Sequence, residues 1–124
     1  MPGIRQAAVV VFGLRIAYGA ALVAAPARLT QRWLGPAGEH GPTQVGVRGL
    51  GAREVLLHAG ALAAALRGAP LRPWLAASVI GDVADIASTA AARADLPEGS
   101  AAATLAVAGG SALISAALAG GLGE

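Results

Sequence analysis

Apolar residues fall along the chain in four long stretches, separated by short runs rich in proline, glycine and charge. The last stretch is the plainest: from Gly99 to Gly123 no side chain is charged over 25 positions. An α-helix needs ~20 apolar residues to cross ~30 Å of hydrocarbon, so this pattern predicts a spanning helix at about 100–122. Three other stretches have similar length but carry polar interruptions. The first, about 4–25, holds Arg15. The second, about 46–66, holds Arg48, Arg53, Glu54 and His58. The third, about 71–92, holds Asp82 and Asp85. The connections are marked by helix-punctuating residues. Pro26 to Thr43 contains Pro26, Pro36, Gly38, Gly41 and Pro42, and Arg67 to Pro70 reads as a tight turn. Arg93 to Ser100 contains Asp95, Pro97, Glu98 and Gly99. The expected fold is all-α: one integral membrane domain over residues 1–124, built as a four-helix transmembrane bundle with short loops. The expected location is the cell membrane, with several passes and the lipid bilayer as the first partner.

Smaller features refine this picture. Ala27 to Leu34 fits a short helix in the headgroup layer, with Leu29, Trp33 and Leu34 on an apolar side and Arg28 and Arg32 outward. Trp33 and Trp74 fall at opposite faces of a four-span arrangement, as an aromatic belt requires, although ordinary core aromatics satisfy the same positions. The flanking arginines nearly balance between the two sides, so the positive-inside rule sets no orientation. A signal peptide is a competing reading of the first stretch, with Ala25-Pro26-Ala27 as a small-residue site. Arg15 inside the apolar run argues against it. A soluble alanine-rich bundle would need a polar face on every helix, and the last stretch has none.

Composition agrees with the pattern. Hydrophobic residues make up 56% of the 124 and charged residues 13%, against ~25% charged in soluble domains. Alanine (33) and glycine (18) supply much of the excess. The nine basic residues are all arginine and exceed the acidic ones by two, with no basic stripe and few aromatics, so a nucleic-acid partner is excluded. There is no cysteine, which removes thiolate metal sites, iron–sulfur ligation and thiol nucleophiles.

The intramembrane charges are the informative feature. An insertion scale assigns ~2.5–3.5 kcal/mol to an Asp or Arg at a helix centre, more than neighbouring Leu, Ile and Val offset at ~0.3–0.6 each. Asp82 and Asp85 must therefore face the interior, be paired, or carry protons. They are i,i+3 and share a face, as do Glu54 and His58 at i,i+4. At ~1.5 Å rise per residue, Glu54, Asp85 and Arg15 come to similar depth. A cluster of Arg15, Arg53, Glu54, His58, Asp82 and Asp85 follows. Arg53 and Glu54 point about 100° apart, so one should face the first helix and the other the third. Arg48 lies near a helix end and is expected to snorkel. Glycines beside these charges, Gly13, Gly19, Gly46, Gly49, Gly51 and Gly81, are expected to let helices approach closely.

Several functions use such a cluster. Buried ion pairs that fix helix register, in a structural or accessory subunit, are the plainest. A membrane-embedded acid–base enzyme would use Glu54, His58, Asp82 and Asp85 as catalytic groups on a lipophilic small molecule, with Arg15, Arg48 and Arg53 binding it. Its reaction would be an isomerisation, cyclisation or hydration. A proton-coupled carrier would use the same groups as a relay, as a homo-oligomer because four helices enclose little volume. A metal site on Glu54, His58, Asp82 and Asp85 is disfavoured, because bundle diiron sites use Glu-x-x-His spacing. No cofactor is expected: the chain has no Walker loop, and it has no Gly-x-Ser-x-Gly elbow either. His40 sits in a loop and is expected to be solvated.

The runs Arg48-Gly49-Leu50-Gly51-Ala52-Arg53-Glu54 and Gly81-Asp82-Val83-Ala84-Asp85 resemble a family of small four-helix bacterial membrane proteins described only as a domain of unknown function. The resemblance covers the chain from about Arg15 to the last helix and implies a membrane protein of this length, with no activity attached. The Gly-x-Arg-Glu second helix is also faintly similar to small DoxX-type membrane proteins. That resemblance implies a redox-associated accessory role, for which the chain has no cysteine and no visible quinone or haem site.

Overall fold

The computed structural model describes residues 2–124, with side chains from Gly3 onward. It is all-helical, with no strand among the described residues. Five α-helices follow in order: α1 (Pro2–Ala24), α2 (Pro26–Leu34), α3 (Gly41–Leu66), α4 (Arg72–Ala91) and α5 (Ser100–Gly121). Two prolines expected to mark loops, Pro26 and Pro42, instead open helices, and Pro73 opens a third. Pro26, Pro42 and Pro73 lie in the first two positions of α2, α3 and α4, where the missing N–H would have no helical partner anyway. Consequently α3 begins before residue 46, and the expected loop from Pro26 to Thr43 is mostly α2 and a 3-10 turn over Gly35–Glu39. The tight turn at Arg67 to Pro70 passes through Gly68 at φ 72°, a backbone angle that disfavours a Cβ.

The long helices form two closely packed antiparallel pairs, α1 with α3 and α4 with α5. Along α1 the inward positions are Ala8, Phe12, Arg15, Gly19 and Leu22, spaced four and three apart. Along α3 they are Val47, Gly51, Glu54, His58 and Ala61. This is the seam of helices crossing at a shallow angle. Register is set where Gly19 meets Gly51. A Cβ at either position would lie 2.6 Å from the other's carbonyl oxygen, so only glycine permits this approach. Gly13, Gly46, Gly49 and Gly81 face open space instead. Their expected packing role is absent within the chain, because they fall off the seam.

One end of the bundle is sealed. Ala8, Phe12, Ala61, Ala64, Leu71, Leu75 and Leu122 form a continuous apolar core there. The Glu124 carboxylate accepts the backbone N–H groups of Leu71 and Arg72 at 2.6 and 2.7 Å, capping the start of α4. The Arg5 guanidinium donates to the Ala65 and Ala69 carbonyls at 3.0 and 3.1 Å. At the other end α2 lies across the bundle, held by the Trp33 indole N–H donating to Thr89 Oγ1 at 3.2 Å. Ser100 Oγ donates to the Trp33 carbonyl at 2.8 Å and ties the start of α5 to α2.

Polarity is arranged inside out. His58 is 1% exposed, Asp82 3% and Ser78 2%, while Leu56 is 72% exposed and Leu113 73%. On α4 the buried residues are Leu75, Ser78, Asp82 and Thr89, and Ile80 and Val83 point outward. Three helices are long and apolar enough to cross a membrane: Gly3–Ala24, Gly41–Leu66 and Ser100–Gly121. The α4 helix does not qualify by composition. It has 20 residues, and its buried side is where two hydroxyls and a carboxylate sit.

Candidate functional site

The centre of the bundle is the Arg15 guanidinium. Its Nε–H donates to Glu54 Oε2 at 2.8 Å, and Nη2 donates to Glu54 Oε1 at 3.0 Å. Toward α4, Nη2 donates to Asp82 Oδ1 at 2.9 Å and Nη1 to Asp82 Oδ2 at 3.1 Å. The remaining Nη1 hydrogen goes to Ser111 Oγ on α5. A guanidinium has five N–H donors, so every one of them is engaged. One side chain thus binds the other three long helices together, with both carboxylates held in bidentate geometry.

One turn toward the sealed end lies a second polar layer. His58 Nδ1 sits 2.8 Å from the Glu54 backbone carbonyl, and Nε2 sits 2.6 Å from Ser78 Oγ. A carbonyl only accepts, so Nδ1 carries the hydrogen, and when the ring is neutral the Ser78 hydroxyl donates to Nε2. With Glu54 Oε2 3.4 Å from Nδ1, serine, histidine and glutamate line up as in a nucleophile–base–acid series. Ser78 and His58 are both buried, and neither lines the crevice beside Arg15. Ser115 Oγ, one helical turn beyond Ser111, is buried without a partner among the described residues.

The open space lies on the α2 side of Arg15, between the two helix pairs. An inner chamber of about 100 Å³ is walled by Arg15, Tyr18, Leu50, Glu54, Asp82, Asp85, Val107, Ala108 and Ser111. An outer chamber of about 190 Å³ runs from Leu29, Arg32 and Trp33 on α2 to Ala103 and Thr104 on α5. Tyr18, Leu50, Asp85, Val107 and Ala108 line both, so the two chambers form one crevice. Tyr18 is 46% exposed and Val107 72%, so its mouth lies on the outer surface between α1 and α5.

The structure therefore divides the residues expected to cluster. It joins Arg15, Glu54, His58 and Asp82 by hydrogen bonds. It places Asp85 on the crevice wall, with no ion pair or hydrogen bond from another described residue. Arg53 is exposed on the outer side of α3 and makes no ion pair among the described residues. The 100° offset from Glu54 carries it off the seam, so it does not face α4 as a partner. Arg48 is exposed and donates from Nε to the Val23 carbonyl at 3.2 Å, near the end of α1. Among the described residues no group of three His, Cys, Asp or Glu side chains is placed to hold a metal. Ser78, Ser111 and Tyr18 were not singled out from the sequence. The two serines lie on the periodic inner faces of α4 and α5, which is the only signal that marks them. Comparison with family models, characterised proteins and solved structures finds no match.

Proposed function

We propose that this is a multi-pass membrane protein whose α1, α3, α4 and α5 all cross the bilayer, and that its crevice binds a lipophilic small molecule. The inside-out polarity supports the first part. Outward Leu14, Leu56, Ile80 and Leu113 suit hydrocarbon, whereas Asp82 and His58 would be costly there. α4 joins the spans because its polar residues turn to Arg15 and α3 while its outer side is apolar.

The observation that carries the binding function is the division of labour among the buried charges. Arg15, Glu54 and Asp82 saturate one another and form a structural pin. Asp85, in the same cavity, is left without a partner. A half-buried carboxylate without a structural use points to a role in binding. The crevice is open on the α2 side and closed by the apolar core beyond Phe12, so access is from one side. That favours a binding protein over a carrier with access from both faces.

The test uses Trp33, which lines the outer chamber. In a Trp74→Phe background Trp33 is the only tryptophan. In nanodiscs, a bromine-labelled decanol is expected to quench it saturably. Ala108→Phe, which fills both chambers, is expected to leave only the linear quenching of bilayer partition. Linear quenching in the unfilled protein would contradict the reading.

A further inference from the structure

We infer that the crevice takes an amphiphile with a cationic amine head, seated against Asp85. This rests on the reading of the crevice as a binding site and names the chemistry that fills it.

The charge count comes first. The inner chamber is walled by three carboxylates, Glu54, Asp82 and Asp85, and by one guanidinium. Even a protonated His58 behind Glu54 leaves the carboxylates in excess. Arg53 lies on the outer side of α3, near enough to act on Asp85 through its charge, but it forms no ion pair with any of them among the described residues. Arg32 is exposed at the α2 rim of the outer chamber. The chamber is thus electronegative at depth, where an uncompensated carboxylate is most costly and a counter-charge most favourable.

Hydrogen-bond capacity selects the same ligand. Arg15 has all five donors engaged, so an anionic head entering the inner chamber would find no guanidinium hydrogen to accept. Asp85 offers acceptor oxygens that no described residue occupies, and an ammonium supplies both the donors and the charge. Tyr18 and Trp33 line the crevice, and their ring faces attract a cation.

Size sets the shape of the molecule. Chambers of about 100 and 190 Å³ fall below the ~300–1,000 Å³ of sites that enclose a whole drug-sized ligand. A compact head fits inside, and an alkyl tail leaves past Val107, whose exposed side faces the surrounding hydrocarbon in the four-span reading.

The experiment compares bromine-labelled decylammonium, decanol and decyl sulfate of one chain length. Trp33 quenching is followed in nanodiscs of zwitterionic lipid, in the Trp74→Phe background, and each affinity is corrected for bilayer partition. The cation is expected to saturate about tenfold or more tighter than the alcohol, the scale of one hydrogen bond to a charged group. Asp85→Asn is expected to remove that preference, and Asp85→Glu to keep it. In each protein the preference is read as the ratio of cation affinity to decanol affinity. Equal affinity of cation and alcohol in the parent, tighter binding of the sulfate, or an unchanged preference in Asp85→Asn would overturn the cationic assignment while leaving the binding crevice intact. Saturable quenching by none of the three would overturn both.

Discussion

At Arg15 the number of donors equals the number of acceptor contacts, and that equality separates pinning from binding. Removing the guanidinium leaves Glu54 and Asp82 facing each other without compensation. Breaking a buried ion pair in this way destabilises by ~3–5 kcal/mol, so Arg15→Leu is expected to lower detergent thermal stability sharply. Arg15→Lys should fall between, since an ammonium has three donors and no planar fork to reach both carboxylates and Ser111. Adding Glu54→Gln and Asp82→Asn to Arg15→Leu should recover part of the loss, because the penalty comes from uncompensated charge. A triple variant less stable than Arg15→Leu would argue against that origin. Much of this cluster was legible in the sequence. Spacing of three and four residues put Asp82 with Asp85, and Glu54 with His58, on single faces, and counting depth brought Arg15 level with Glu54 and Asp85. The separate fate of Asp85 was not legible. It shares a face with Asp82, and only the position of the crevice shows that one carboxylate meets Arg15 and the other meets space. Ser111 was hidden because a hydroxyl among alanines and glycines carries no pattern of its own.

At the scale of the helix pair, the α1–α3 contact depends on two glycines. Gly19→Leu or Gly51→Leu would drive a side chain into the facing backbone, where neither carbonyl is free to move. Such overpacking typically destabilises by ~1–3 kcal/mol and here should do at least that, because the obstacle is backbone. Gly13→Ala and Gly49→Ala meet nothing within 4 Å and are expected to leave thermal stability unchanged or slightly raised, since alanine favours a helix. Equal losses at all four positions would mean that the packing is not specific to the Gly19–Gly51 crossing. The sequence offered many glycines as packing candidates and no means of choosing. The choice follows from the four-and-three seam that runs through Arg15 and Glu54, and Gly19 and Gly51 alone lie on it beside them. Pro26 opens α2, and Trp33 is turned inward to Thr89, which a headgroup helix with one apolar side foreshadowed.

For the whole molecule, the number of crossings is the open consequence of the inside-out design. Three helices qualify by length and composition, and α4 crosses only if its polar side is fully served by its neighbours. Four crossings place the Arg67–Pro70 turn and the Arg93–Gly99 loop on opposite sides of the bilayer, whereas three place them on the same side. The chain has no cysteine, so Arg67→Cys and Glu98→Cys each introduce a single thiol. A membrane-impermeant maleimide is expected to label them from opposite faces, and labelling from one face would exclude the four-span arrangement. The all-helical fold and the approximate bounds of the long helices were readable from apolar run length, whereas the described residues form five α-helices and not four. The early start of α3 was not readable, because Pro42 serves equally well as a loop breaker or a first-turn residue.

The central claim is that the buried charges divide into a structural pin and a free carboxylate. Thermal unfolding in detergent of Glu54→Gln, Asp82→Asn and Asp85→Asn against the parent tests it most directly. Glu54→Gln and Asp82→Asn are expected to lower the midpoint clearly, since each halves a bidentate pair with Arg15. Asp85→Asn should leave the midpoint unchanged or raise it, as substitutions at functional sites often do. A loss in Asp85→Asn as large as in the other two, or no loss in any of them, would contradict the division.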